Sequence, residues 1–369
     1  MLPTESSTSL IYSGVRARVP LSRRVAVGAA TAAALLLFGA PTRAKTQHSQ
    51  PASAPTLVPI QPELFSAGGA LTNAFADFDK DGDGDLDLFV ALRDKPNMMF
   101  RNDGGHFSDI ADSLGMAWGG RAPHVSTNGT VRPCAADVNN DGVIDLFTAN
   151  YGPNGLFLGR TTGAFDDVSR AWGVRLDGHY DTCAFADIDN DGKLDFYVNG
   201  TVSATESFRD YIYHQTTNHY ADITPSNIIV LQSSHGAQWA DVDADGALDL
   251  ALAGSRADAT HALLHNTLPP LAARRSLRIR VVDAHGHATR AGAEVRIYAT
   301  GTNRLLGMRL VDTGSGYDSQ SDIPVHFGLA SMAQVDIEVT VPANGKRTTT
   351  RTRRVSPGSW VGKVMTVRG

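Results

Sequence analysis

One short pattern occurs four times in this chain and limits its fold more tightly than anything else in it. The segments DFDKDGDGDLDLFVA from Asp77, DVNNDGVIDLFTA from Asp137, DIDNDGKLDFYVN from Asp187 and DVDADGALDLALA from Asp241 align at spacings of 60, 50 and 54 residues. Together they hold 17 of the 38 acidic residues, and all 17 are aspartate. Three or four carboxylates on one tight turn repel one another strongly unless a cation sits among them.

The spacing selects the cation. Oxygen donors at positions 1, 3, 5 and 9, a turn-permitting glycine at 6 and no nearby His or Cys describe a hard ion with many oxygen ligands, so Ca²⁺ is expected over Zn²⁺ or Mg²⁺. The candidate ligands are Asp77, Asp79, Asp81, Asp83 and Asp87; Asp137, Asn139, Asp141 and Asp145; Asp187, Asp189, Asp191 and Asp195; and Asp241, Asp243, Asp245 and Asp249. About four structural calcium ions are expected. An EF-hand fails, because position 12 holds Thr148, Val198 and Leu252 where that motif needs Glu, and the flanks alternate like strands. Each loop therefore reads as a strand-to-strand turn. The first carries two extra residues between Asp77 and Asp87.

A second motif recurs between the loops: PNMMFRNDGGHFSDI at Pro96, PNGLFLGRTTGAFDDV at Pro153 and, more weakly, RDYIYHQTTNHYADI at Arg209. It reads as strand, turn, strand. Added to the strands beside each Asp loop it makes four strands per repeat, the size of a propeller blade. The predicted class is all-β, a small propeller of four blades (five if neighbouring segments contribute strands) followed by a small all-β domain. These residues resemble the FG-GAP or VCBS repeat family. From Ser276 the Asp loops stop and alternating runs follow: SLRIRVVD, AEVRIYA, RLLGMRLVD, QVDIEVTV, an Asn344-Gly345 turn and RTTTRTRRV. With GSGYDSQS from Gly314 and HFGL from His326, this stretch is similar to the ASPIC/UnbV domain that follows such propellers.

Residues 1–44 read as an export signal: arginines at 16, 18, 23 and 24, an apolar run from Val25 to Ala40, and Thr42-Arg43-Ala44 as a cleavage site. That run is too short for a stable membrane span. Residues 45–65 read as a linker, 66–270 as the propeller and 271–369 as the tail. The net charge of −5 divides unevenly, the tail being basic and the propeller acidic. The two cysteines, Cys134 and Cys183, sit at offsets from their loops that differ by one residue. That parity turns them to opposite strand faces, and two unpaired thiols are expected over a bridge.

No catalytic constellation stands out in the sequence. His326 reads as a packed core residue. The resemblance to integrin-type propellers puts partner contacts on the face opposite the Asp loops, where Arg93, Tyr151, His179, Tyr180, Asp181, His235 and Arg256 would lie. The basic strand with Lys346, Arg347, Arg351, Arg353 and Arg354 reads as an edge strand kept soluble by charge, with docking on the acidic propeller or on an anionic polymer as alternatives. The tail, lacking Asp loops, is expected to owe calcium little of its stability. The leading function is an exported, calcium-stabilised module binding an extracellular or envelope glycan or protein; nucleic acid is not expected as a partner. The rival is an exported enzyme on polysaccharide or a small metabolite in the propeller cleft.

Overall fold

The computed structural model describes residues 58–65, 68, 70–79, 85–121, 129–201, 207–229, 234–254, 261–288, 290–312, 324–343 and 346–369. The export signal, most of the linker, Asp81, Asp83, Arg256, the Gly314 segment and the Asn344-Gly345 turn lie outside the described residues, as does the side chain of His235.

Each Asp loop is the turn of a β-hairpin, as its flanks require. In the first blade β1 (Ala70–Ala76) pairs with β2 (Asp87–Leu92), followed by β3 (Met98–Asp103) and β4 (His106–Asp109). The second blade repeats this order with β5 (Gly129–Ala136), β6 (Asp145–Pro153), β7 (Gly155–Gly159) and β8 (Phe165–Asp167). The third has β9 (Asp177–Ala186), β10 (Asp195–Gly200), β11 (Tyr211–Thr216) and β12 (His219–Asp222). The fourth shows β13 (Ser234–Ala240), β14 (Asp249–Gly254) and β15 (Ala262–Leu264). In every hairpin the residue before position 1 pairs with position 9: Ala76 with Asp87, Ala136 with Asp145, Ala186 with Asp195, Ala240 with Asp249. The first turn is accordingly two residues longer than the rest.

The propeller core lies between blades. One cluster joins Phe147, Leu156 and Cys134 of the second blade to Cys183, Phe196 and Tyr213 of the third; another joins Tyr197 and Ile212 to Leu250 and Leu252. Both faces of a middle strand are thus covered, and β10 is buried along its whole length. This arrangement overturns the expectation of free thiols. Cys134 and Cys183 form a disulfide with Cα atoms 6.2 Å apart. Blades stack face to face, so the forward face of one meets the rear face of the next. Opposite parity is what an inter-blade bridge needs.

The tail is a two-sheet sandwich. One sheet orders β19 (Val325–Gly328), β16 (Ser276–Val282) and β22 (Val364–Arg368); the other orders β18 (Leu305–Leu310), β17 (Glu294–Ala299), β20 (Val335–Ala343) and β21 (Lys346–Val355). Ile279, Val295, Phe327, Ile337 and Val339 fill the space between them. The strand pairing Ala343 with Lys346 leaves two residues for the hairpin turn, as Asn-Gly predicts. The parallel pairing of β16 with β22 was not legible in the sequence. Met308 of the tail joins Phe89, Met99 and Leu146 in the core between the first two blades, and Pro59–Gly369 forms one compact unit.

Candidate functional site

The backbone of the loops explains their residue types. Position 4 is left-handed in each fully described loop, at Asn140, Asn190 and Ala244 (φ 57°, 58° and 62°), and position 6 follows with Gly142, Gly192 and Gly246 at 81° to 99°. Glycine meets the second requirement without steric cost, and asparagine tolerates the first. Both asparagines also link loops: Asn140 Nδ2 donates to the carbonyl of Gly192 at 2.9 Å, and Asn190 Nδ2 to that of Gly246 at 3.0 Å.

The aspartates divide into two kinds. Position 9 ties the blade together, because one carboxylate oxygen accepts the N–H of position 2 and the other accepts an N–H from the third strand or its end. Val138 and Gly159 donate to Asp145 at 2.7 and 2.8 Å; Ile188 and Gln215 donate to Asp195 at 3.1 and 2.7 Å. Phe78 with Asn102 on Asp87, and Val242 with Asn266 on Asp249, repeat the pattern. Position 1 accepts from within the loop instead, Gly142 N–H to Asp137 at 2.9 Å and Gly192 N–H to Asp187 at 2.8 Å.

Five of these carboxylates, Asp87, Asp137, Asp145, Asp187 and Asp195, are buried beside other aspartates, and burial holds their protons. It pushes Asp145 up to about 8, Asp87, Asp187 and Asp195 to about 7, and Asp137 to about 6, with neighbouring aspartates adding to the rise. Without a counter-cation Asp87, Asp145, Asp187 and Asp195 resist ionisation near neutral pH, as buried carboxylates do. The geometry fits a metal ion. Asp187, Asp189 and Asp191 bring donor atoms within 4.8 Å of each other, as do Asp77, Asp79 and Asp87. Oxygens bound to one Ca²⁺ at about 2.3–2.6 Å can lie no more than about 5 Å apart. Two loops also have a histidine that sequence spacing hid: His214 Nδ1 stands 3.0 Å from Asp195 and His265 Nδ1 3.0 Å from Asp249. The expectation of no histidine near the loops therefore holds along the chain and fails in space. The recurring pairs His214-Gln215 and His265-Asn266 at the end of the third strand were the available signal.

The tail reaches these loops, correcting the reading of its basic strand as merely a soluble edge. Arg347 bridges Asp77 and Glu294, and Arg278 Nη1 lies 3.1 Å from Asp241 Oδ2. Arg351 stays within the tail on Glu338. Inner strands of all four blades and the tail enclose a cavity of about 580 Å³ lined by Arg132, Asp137, Asp187, Arg309 and His326. His326, expected in the packed core, instead lines this cavity, with Nε2 3.3 Å from Gly246 O and its pKa pushed down to about 4 by burial.

On the opposite rim, the sequence-predicted residues partly converge. Arg93 lies 4.4 Å over the Tyr151 ring, Tyr151 stacks on His179 at 4.3 Å, and His179 meets Phe208 at 4.9 Å. Arg93 is exposed and the three rings are half-buried. Tyr180 and Asp181, each 3% exposed, sit beneath as support. Phe208 was missed, as an isolated aromatic in a loop carries no pattern.

FG-GAP-like repeats match at residues 79–147 and 137–198, and an ASPIC and UnbV domain at 284–357. Cartilage acidic protein 1 of Xenopus tropicalis is 29% identical over 270 residues, covering 69% of this chain and 39% of that protein. Its Homo sapiens counterpart is 29% identical over 273 residues, covering 69% and 38%. The chain thus spans under half the length of these relatives. A solved structure concerned with recognition of non-reducing terminal N-acetylglucosamine by an Agrocybe aegerita lectin aligns over 52% of this chain and 51% of its own at 19% identity, with a TM-score of 0.30 that carries no argument. No helix among the described residues is long and apolar enough to cross a membrane. With Asp-loop hairpins in a propeller-like array matched as FG-GAP-like repeats from 79 to 198, and the β-sandwich tail matched as ASPIC and UnbV at 284–357, this chain is an FG-GAP-repeat protein with a C-terminal ASPIC and UnbV domain.

Proposed function

We propose that this chain is an exported binding module, stiffened by calcium in its Asp loops, whose contact surface for an extracellular or envelope glycan or protein is the rim opposite those loops. The observation that carries the reading is the stack of Arg93, Tyr151, His179 and Phe208 across three blades. The half-buried ring edges of the stack suit an apolar side chain or a sugar's C–H groups, and the exposed guanidinium at its end suits a carboxylate. Rigid aromatic anchors beside an arginine are the residues that dominate recognition energies. Candidate calcium ligands are the position 1, 3, 5 and 9 oxygens, and the ion would neutralise them and fix the hairpin turns. Glycan-array and pull-down assays on the mature chain test the rim: Tyr151→Ala and Arg93→Ala should each weaken capture at least tenfold, and wild-type capture by both overturns the assignment. Calcium titration of chelator-stripped protein should find about four sites; none or one defeats the calcium reading. A mature N-terminus near Lys45 in the exported fraction tests the signal.

A further inference from the structure

The first carboxylate of the first loop and that of the fourth each meet an arginine from the tail, Asp77 with Arg347 and Asp241 with Arg278. Both contacts are long-range: the partners are separated by 270 residues in the first case and 37 in the second. Arg309, also from the tail, lines the cavity together with Asp137 and Asp187. So the tail pairs an arginine with the first aspartate of the first and fourth loops and sets a third arginine in the cavity that the first aspartates of the other two line. The same carboxylates are the position 1 candidates for calcium, and a guanidinium beside a metal site acts on it in two opposing ways. It stabilises the loop while no metal is bound, and it repels a divalent ion that arrives.

We infer that the tail arginines are built-in counter-ions of the Asp loops, which hold the metal-free propeller together and lower its calcium affinity, so that tail docking and calcium loading oppose each other. The inference rests on the calcium reading above and adds its regulation. Reciprocity follows from linkage: if docking weakens calcium binding by a given factor, calcium weakens docking by the same factor. A monovalent charge several ångström from a divalent ion through a partly hydrated interface weakens binding by roughly fivefold to tenfold.

The test uses the full chain, with calcium as the titrant and melting in chelator as a second readout. Arg278→Gln and Arg347→Gln should each tighten one site about fivefold to tenfold, while the metal-free melting temperature falls. Arg368→Gln, an exposed tail arginine, should change neither. Adding Asp241→Asn to Arg278→Gln should abolish the further loss of metal-free stability, because the pair is already broken. Unchanged or weaker calcium binding in both glutamine variants overturns the inference while leaving the calcium reading intact. A wild type that binds no calcium overturns both. Should a glutamine variant not fold without metal, Arg278→Lys keeps the charge and should retain wild-type affinity; a tightened lysine variant also overturns the inference.

Discussion

The last aspartate of each loop serves the blade before it serves any metal. Asp195 satisfies two backbone N–H groups with two oxygens, and removing it leaves one buried and one part-buried donor unpaired. Asp195→Ala should therefore cost about 3 kcal/mol with or without calcium. Asp191→Ala should matter chiefly when calcium is present, since Asp191 is less buried and its contacts are local to the turn. Denaturant melts of both variants, with calcium and in chelator, check the contrast; equal sensitivity to chelator in the two would contradict it. Acidity gives a second prediction. Burial raises the folded-state proton affinities of Asp87, Asp137, Asp145, Asp187 and Asp195 to about 6 to 8. Unfolded aspartate sits near 4, so between those limits the folded metal-free chain binds more protons than the unfolded one, and stability falls as pH rises. The chelated protein should melt higher at pH 5 than at pH 8, and calcium should remove or reverse that slope. A chelated melting temperature that climbs with pH would refute the assignment.

The hairpins were legible from the sequence because each loop fixes its own geometry: aspartate at 1 and 9, glycine at 6, and strands on either side. The cysteine pairing was not, although every residue needed was in view. Parity within one strand says which face a side chain leaves by, whereas the bridge depends on which faces meet, a property of the blade array. Cys134 and Cys183 enclose a chain segment with a sequence separation of 49. Closing such a loop is worth about 4 kcal/mol by the chain-entropy estimate. Reduction, or Cys134→Ser with Cys183→Ser, should lower stability by that order, read as a lowered unfolding midpoint. An unchanged midpoint would remove the bridge from the stability of the second and third blades. The rim stack shows the same limit: Arg93, Tyr151 and His179 were placed on one face from repeat position, but only the pairing of Tyr151 with His179 across β6 and β9 makes them a continuous surface.

Across the whole molecule, charge asymmetry announced an acidic array and a basic tail, yet not that the two interlock. Chain statistics count charges and do not place them; Arg347 and Arg278 meet aspartates far from them in sequence, whereas Arg351, on the same strand as Arg347, turns to its own sheet. Against the expectation that the tail owes calcium little of its stability, this interlock argues for a joint response. With Met308 in the core of the first two blades and arginines at the loops, propeller and tail should unfold together. Calorimetry should show one transition that moves as a unit on chelation, and a tail transition that stays fixed would show that the interface is weak.

The bridge from Asp77 to Arg347 also bears on how the chain comes to be folded. It joins the first hairpin turn to the last long strand pair across 270 residues, among the largest loop closures the molecule makes. Contacts of such separation form late, because the entropy of closing the chain must be met before they contribute. During that interval the first loop has no guanidinium, and its carboxylates face one another alone. On the calcium reading proposed above, an ion from the surroundings would occupy the turn in the meantime, a temporary scaffold that the finished tail then partly relieves of its role.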